Sequence, residues 1–173
     1  MCAQNLDCLH LHPAIEWVIE HNKKSNRRAV LNLSLGGEFN SLLNFAVETA
    51  AKEGIIVVAA AGNDGQSACH ISPASAWSAI TVASTTRRDT FSSFSSRGAC
   101  VDILTGGSDI ASAWFERDDQ YAIISGTSMA APAVSGIVAR YLVNHPTGST
   151  EDVRKALFCM ASTNIIENVP ARK

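Results

Sequence analysis

With 173 residues, 46% of them hydrophobic and 17% charged, the chain is long enough to bury a sizeable core as one domain. A net charge of −2 without a basic stripe argues against a nucleic-acid partner, and the longest apolar run, around Ile55 to Ala61, is too short to span a bilayer. Met1-Cys2-Ala3-Gln4-Asn5 has neither the basic nor the apolar region of a signal peptide; the five cysteines, odd in number and without CxxC spacing, speak against zinc and leave the compartment open.

Pro13 suits a first helical position, and a helix is predicted from there to about Lys23, with His21 on its polar face. Lys23-Lys24-Ser25-Asn26-Arg27-Arg28 reads as a solvated connector into a strand over 29–34. Asn40 or Ser41 can cap the next helix, which carries Leu42, Leu43, Phe45, Ala46 and Ala50 to about Lys52 and stops at Gly54. Ile55 to Ala61, β-branched at its start, reads as a buried strand. A Ser/Pro loop leads to a strand over 79–84 and then a polar stretch from Thr85 to Gly98. Strands near 101–104, 109–114 and 121–125 follow, then a helix from the Ser128 turn to about Val143. Thr150, Glu151 and Asp152 start a last helix, and residues 165–173 are expected to fray. Helices alternating with buried strands predict a parallel α/β sheet, without internal repeats.

The run Ile124-Ser125-Gly126-Thr127-Ser128-Met129-Ala130-Ala131-Pro132 is a small-residue turn that delivers one serine to an apolar helix. Neither charge nor bulk shields the Ser128 hydroxyl. At a helix N-terminus, unpaired N–H groups and the positive dipole end favour a nearby oxyanion, although a serine there can also simply cap the helix. A second word, Gly62-Asn63-Asp64-Gly65, closes the 55–61 strand, and strand ends are where α/β sheets place site residues. Asn63 either donates its amide toward a carbonyl oxygen turning negative or serves as a turn former beside Gly62. A third word, Leu33-Ser34-Leu35-Gly36-Gly37, ends the 29–34 strand in bare backbone that can pair with an extended peptide. A plain turn is the other reading of its two glycines.

Together these words resemble the subtilisin-like serine proteases (peptidase S8), the proteinase K-like branch in particular, from about Ala14 to about Met160. The resemblance implies a three-layer α/β fold with a mostly parallel sheet, incomplete at its N-terminus, as one partial catalytic domain over 1–173. It implies serine endopeptidase activity through an acyl-enzyme on Ser128, with Asn63 as the side-chain half of the oxyanion hole. The pocket for the residue before the scissile bond would have Ser34, Leu35, Gly36 and Gly37 as one wall and Ala60, Ala61 and Gly62 as the other. Its floor falls near Ile71. No wall residue is charged, so an apolar side chain is expected there. The chemistry requires no cofactor. An Asp matching Asp102 binds calcium in proteinase K-like proteins, with carbonyls matching Trp77 and Ala79; the alternative is a strand Asp that faces solvent or accepts backbone N–H groups. The implied partners are peptides or proteins, without nucleic acid or membrane, for a monomer that is extracellular as the family mostly is.

The chain also departs from that pattern. Subtilisins run Asp, His, Ser, with the His roughly 150 residues ahead of the Ser. Here 127 residues precede Ser128, and no Asp-Thr-Gly, Asp-Ser-Gly or His-Gly-Thr occurs. His10, His12, His21, His70 and His145 all sit in surface or loop contexts, so the triad Asp and His are expected to be missing. A serine without a base is a weak nucleophile. That predicts little activity for this chain and leaves a non-catalytic peptide-binding or inhibitory remnant of a subtilase as the alternative. An α/β-hydrolase elbow fails, because it needs Asp and then His after the Ser, while His145 precedes Asp152 and no later His exists. Residues 1–12 diverge, since Gln4 to His10 lacks the glycines of the family's edge strand. Ala133 stands where the family has His, and Ile80 and Ser25 occupy two of its disulfide positions.

Overall fold

The computed structural model describes residues 8–25 and 27–171. Its elements begin with α1 (Cys8–Ser25), β1 (Val30–Leu33), β2 (Gly37–Glu38), α2 (Ser41–Lys52) and β3 (Ile56–Ala60). A 3-10 turn at Ala68–His70 leads into β4 (Ile71–Ser72), β5 (Ile80–Thr85) and β6 (Ile103–Gly106). A hairpin of β7 (Ile110–Ala113) and β8 (Tyr121–Ile124) precedes α3 (Thr127–Asn144) and α4 (Thr150–Met160).

Strands β1, β3, β5 and β6, in that spatial order, form one parallel sheet. Strand β3 is buried along its whole length, which suits its β-branched Ile56, Val57 and Val58. Alternation along this segment sorts the core into two halves. Ile55, Val57 and Ala59 pack with Ile15 and Ile19 of α1 and Leu43, Ala46, Val47 and Ala50 of α2. Ile56, Val58 and Ala60, joined by Ile80 and Val82, pack with Ala130, Val134 and Val138 of α3 and Val153 and Leu157 of α4. Helices thus cover both faces of the sheet in three layers. Because the strands are parallel, the loops after β1, β3 and β5 all open at one edge, the place where such sheets bind ligands.

Among the described residues β1 pairs only with β3, so its other edge is open. Beside it, Pro132, Ala133, Gly136 and Ile137 of α3 are exposed. Helix α1 starts at Cys8, ahead of the predicted start; Pro13 lies inside the helix with its ring toward solvent, at the loss of one backbone hydrogen bond. Of the divergent segment 1–12, residues 8–12 therefore belong to α1, and residues 1–7 lie outside the described residues. After α4 the chain returns to the polar stretch that follows β5. The Glu167 N–H donates to the Asp89 carbonyl at 2.7 Å, and the Phe91 N–H donates to the Glu167 carbonyl at 2.9 Å. This tethers the segment expected to fray at one residue, Glu167, to a distant stretch of backbone; residues 172–173 lie outside the described residues.

Candidate active site

The turn that carries Ser128 hangs from the end of β5. The Gly126 N–H donates to the Gly107 carbonyl at 2.8 Å, and the Gly107 N–H donates to the Thr85 carbonyl at 3.0 Å. A Cβ on Gly107 would stand 2.6 Å from Ser84 Oγ and 2.7 Å from the Gly126 carbonyl oxygen, so only glycine fits. Sequence reasoning missed Gly107, because nothing local distinguishes it from other glycines. Beneath it, the hydroxyls of Ser84, Ser92 and Ser108 form a buried chain at 2.9 and 2.8 Å.

Ser128 is the second residue of α3 and is half-buried. Its N–H belongs to the first turn, where no intrahelical acceptor exists. Asn63, in the loop after β3, turns its carboxamide toward the same turn. Asn63 Oδ1 accepts from the Thr127 N–H and from Thr127 Oγ1, both at 2.9 Å, while the Gly62 N–H donates to Thr127 Oγ1 at 3.1 Å. Two donors on one oxygen assign the amide orientation. Asn63 Nδ2 is left facing Gly126, 3.5 Å from where a Cβ on that glycine would be. Thr127, wholly buried, is therefore a positioning residue that the sequence reading took only as a flank of Ser128. Nδ2 and the Ser128 N–H are donors of the kind that can stabilise an oxyanion next to the hydroxyl.

The segments that follow β1 and β3 meet around Ile71. A Cβ on Gly36 would lie 3.1 Å from Ile71 Cγ2, and one on Gly62 would lie 2.5 Å from Ile71 Cδ1. Antiparallel pairing of Glu38 with Ile71 and of Gly37 with Ser72 holds Ile71 in place. Gly62 has φ +105°, a conformation that favours glycine. Leu35 packs into the α1/α2 core and Ala60 and Ala61 are buried. Ser34 ties β1 to α3 reciprocally: Ser34 Oγ donates to the Ser128 carbonyl at 2.8 Å, and Ser128 Oγ donates to the Ser34 carbonyl at 3.1 Å.

The sequence model of the Subtilase family matches residues 4–171. The chain belongs to the subtilase family. It is 43% identical to an extracellular serine proteinase of Thermus sp. (strain Rt41A), over 89% of its own length and 37% of that protein's. It is 42% identical to alkaline serine exoprotease A of Vibrio alginolyticus, over 86% of its own length and 27% of that protein's. The crystal structure of a cold adapted subtilisin-like serine proteinase matches with a TM-score of 0.87 at 38% identity, covering 94% of this chain and 57% of that one. The three-layer sheet is therefore a subtilisin-like fold in part, and the chain spans well under half the length of these two curated relatives.

Among the histidines of this subtilase whose side chains are described, none hydrogen-bonds to Ser128. His12 lies 3.5 Å from Glu16, and His21 stacks on Trp17 at 5.0 Å. His145 caps the far end of α3, stacked on Tyr141 at 4.2 Å, and His70 is exposed on the 3-10 turn.

Asp102 and the Trp77 carbonyl do come together, but around a guanidinium. Asp102 Oδ1 accepts from Arg154 Nη2, and the Trp77 carbonyl accepts from Arg154 Nη1 at 2.9 Å. Asp102 Oδ2 accepts the Thr81 N–H at 2.8 Å. Calcium needs about six to eight oxygens free to converge on it. With both carboxylate oxygens engaged and a fixed positive charge between them and Trp77, the set Asp102, Trp77 and Ala79 does not fit calcium as folded. The group that stands between them is an arginine from α4, 52 residues away in sequence from Asp102.

A disulfide joins Cys69 to Cys100 across 31 residues, with a Cα–Cα distance of 5.3 Å. It ties the turn beside Ile71 to the segment that enters β6. The odd cysteine count concealed it, since only the fold brings these two together. Cys159 is exposed and free, and Cys2 lies outside the described residues.

Proposed function

We propose that this chain supplies the nucleophile and oxyanion hole for serine-type hydrolysis of peptide bonds. Ser128 Oγ attacks the substrate carbonyl carbon, and the carbonyl oxygen, turning negative, accepts from Asn63 Nδ2 and the Ser128 N–H. The hydroxyl proton passes to a base that is none of the four histidines whose side chains are described. It then goes to the departing amine, and water releases the acyl group from Ser128. The observation that carries this reading is the double acceptance at Asn63 Oδ1, which favours a donor facing the reacting oxygen before any substrate arrives. Ile71 between Gly36 and Gly62, with no charge on Ser34 to Gly37 or Ala60 to Gly62, supports an apolar residue before the cut. Peptides or proteins are the partners, the chain acts as a monomer, and no cofactor enters the chemistry. The Cys69–Cys100 bond and the extracellular Thermus relative support an extracellular setting.

A second reading, a subtilase remnant that binds peptides without cleaving them, is favoured by one contact. Ser128 Oγ spends its proton on the Ser34 carbonyl, which cannot act as a base. A fluorophosphonate probe and a chromogenic peptide, with and without imidazole as an external base, separate the two. Slow labelling that imidazole accelerates and Ser128→Ala abolishes is the expected result. Labelling that survives Ser128→Ala, or that imidazole leaves unchanged, refutes the catalytic reading. Rapid turnover without imidazole would show a base within this chain, and His70 would be substituted first because its turn leads into Ile71.

A further inference from the structure

We infer that the Arg154 guanidinium is this subtilase's built-in cation between Asp102 and Trp77, so that the fold is held there independently of calcium. Four segments meet at this point. Asp102 brackets Thr81 of β5, its own N–H donating to the Thr81 carbonyl at 2.9 Å while Oδ2 accepts the Thr81 N–H. The turn that carries Trp77 is clamped from α2, where Glu48 Oε1 accepts the Ser78 N–H at 2.9 Å and Glu48 Oε2 accepts the Ser78 hydroxyl. The Trp77 carbonyl is thereby presented toward α4. On α4, Val153 and Leu157 are buried on either side of Arg154, which aims its side chain at the sheet rather than at solvent.

The guanidinium then spans two acceptors that belong to different segments, Trp77 and Asp102. Both charged side chains are largely covered, with exposures of 19% for Arg154 and 18% for Asp102. A planar fork of donors can bridge a carboxylate and a carbonyl at fixed separation, and arginine keeps its charge at any pH at which the protein folds. A divalent ion placed there would have to displace those donors and sit against a cation. A chelator, conversely, has nothing to remove.

The test is thermal unfolding of the full chain, followed by circular dichroism in calcium chloride and in EDTA. Its readout is stability, so it succeeds or fails independently of the chemistry proposed for Ser128. The wild-type Tm should be the same in both conditions. Arg154→Ala should lower Tm by roughly 5–10 °C, since breaking a largely covered ion pair strands its partner. In that variant calcium should raise Tm again, because the Asp102 carboxylate and the Trp77 carbonyl are released to it. The added substitution Asp102→Asn should remove this response. Arg154→Lys, which keeps the charge but cannot span both acceptors, gives a milder form of the same behaviour if the alanine variant does not fold. A wild-type Tm that rises with calcium and loses the rise in Asp102→Asn would overturn the inference. So would an Arg154→Ala chain with unchanged Tm.

Discussion

Asn63 offers a way to separate folding from chemistry at one atom. Its Oδ1 holds two donors of Thr127, and its Nδ2, which faces Gly126, is the group proposed to donate to the reacting oxygen. Asn63→Asp keeps both acceptances and adds negative charge at a helix N-terminus, a favourable place for it. Its Tm should therefore stay within a degree or two of wild type. The donor, however, becomes a carboxylate oxygen that repels the oxyanion. Imidazole-assisted phosphonylation of Ser128 should then fall by about 10²–10³-fold or more, the scale known for losing the matching donor in subtilisin and not a figure obtained for this chain. Asn63→Leu should show the same rate loss and, in addition, leave the Thr127 N–H and hydroxyl without their acceptor. At about 1–3 kcal/mol for a stranded buried donor, and about 2–4 °C per kcal/mol for a chain of this size, Tm should drop by roughly 2–12 °C. Labelling rates and melting curves of the three proteins decide the matter. An Asp variant that labels as fast as wild type, or that melts as early as the Leu variant, would refute the assigned orientation of the amide.

Ile71→Ala removes the side chain lying between Gly36 and Gly62, so a peptide library should show the residue before the cut shifting toward larger aromatic side chains; a dominant demand for Lys or Arg in the parent protein would contradict the apolar pocket. Gly107→Ala forces a methyl against Ser84 Oγ and the Gly126 carbonyl, and should cost about 1–3 kcal/mol in thermal unfolding together with slower Ser128 labelling. At the start of α4, the Ser149 hydroxyl and then its N–H donate to the Asp152 carboxylate and hold its pKa below the ordinary value. A depressed folded pKa means a stabilisation that is complete above the ordinary carboxylate range and is lost as pH falls through the lowered value. The protection of amides in the first turn of α4, measured against the intrinsic exchange rate at each pH, should therefore fall on acidification past that range, and Asp152→Asn should flatten the dependence.

Much of this protein was legible in local sequence because the deciding interactions are short-range. Periods of apolar residues located α2, β3, β5, α3 and α4 to within a few residues, and Asn40 does cap α2, with its Oδ1 accepting the Leu43 N–H at 3.0 Å. The words around Ser128, Asn63 and Gly36 carried the family because each is a turn whose small residues are set by its own backbone. What local sequence could not carry are pairings between distant segments. Thr127 looks like a flank until Asn63 is folded against it, and Gly107 looks like any glycine until the Gly126 carbonyl lies where its Cβ would be. Cys69 finds Cys100, Glu167 finds Phe91, and Arg154 finds Asp102 only because the sheet and its two helical layers bring those backbones together. Sequence alone thus determined the fold class and the turn that delivers Ser128 to α3, through patterns that each segment carries by itself. The direction of the Asn63 amide, the packing of Ile71 between Gly36 and Gly62 and the cation beside Asp102 were decided by tertiary structure, because each depends on a partner whose position only the packed chain defines.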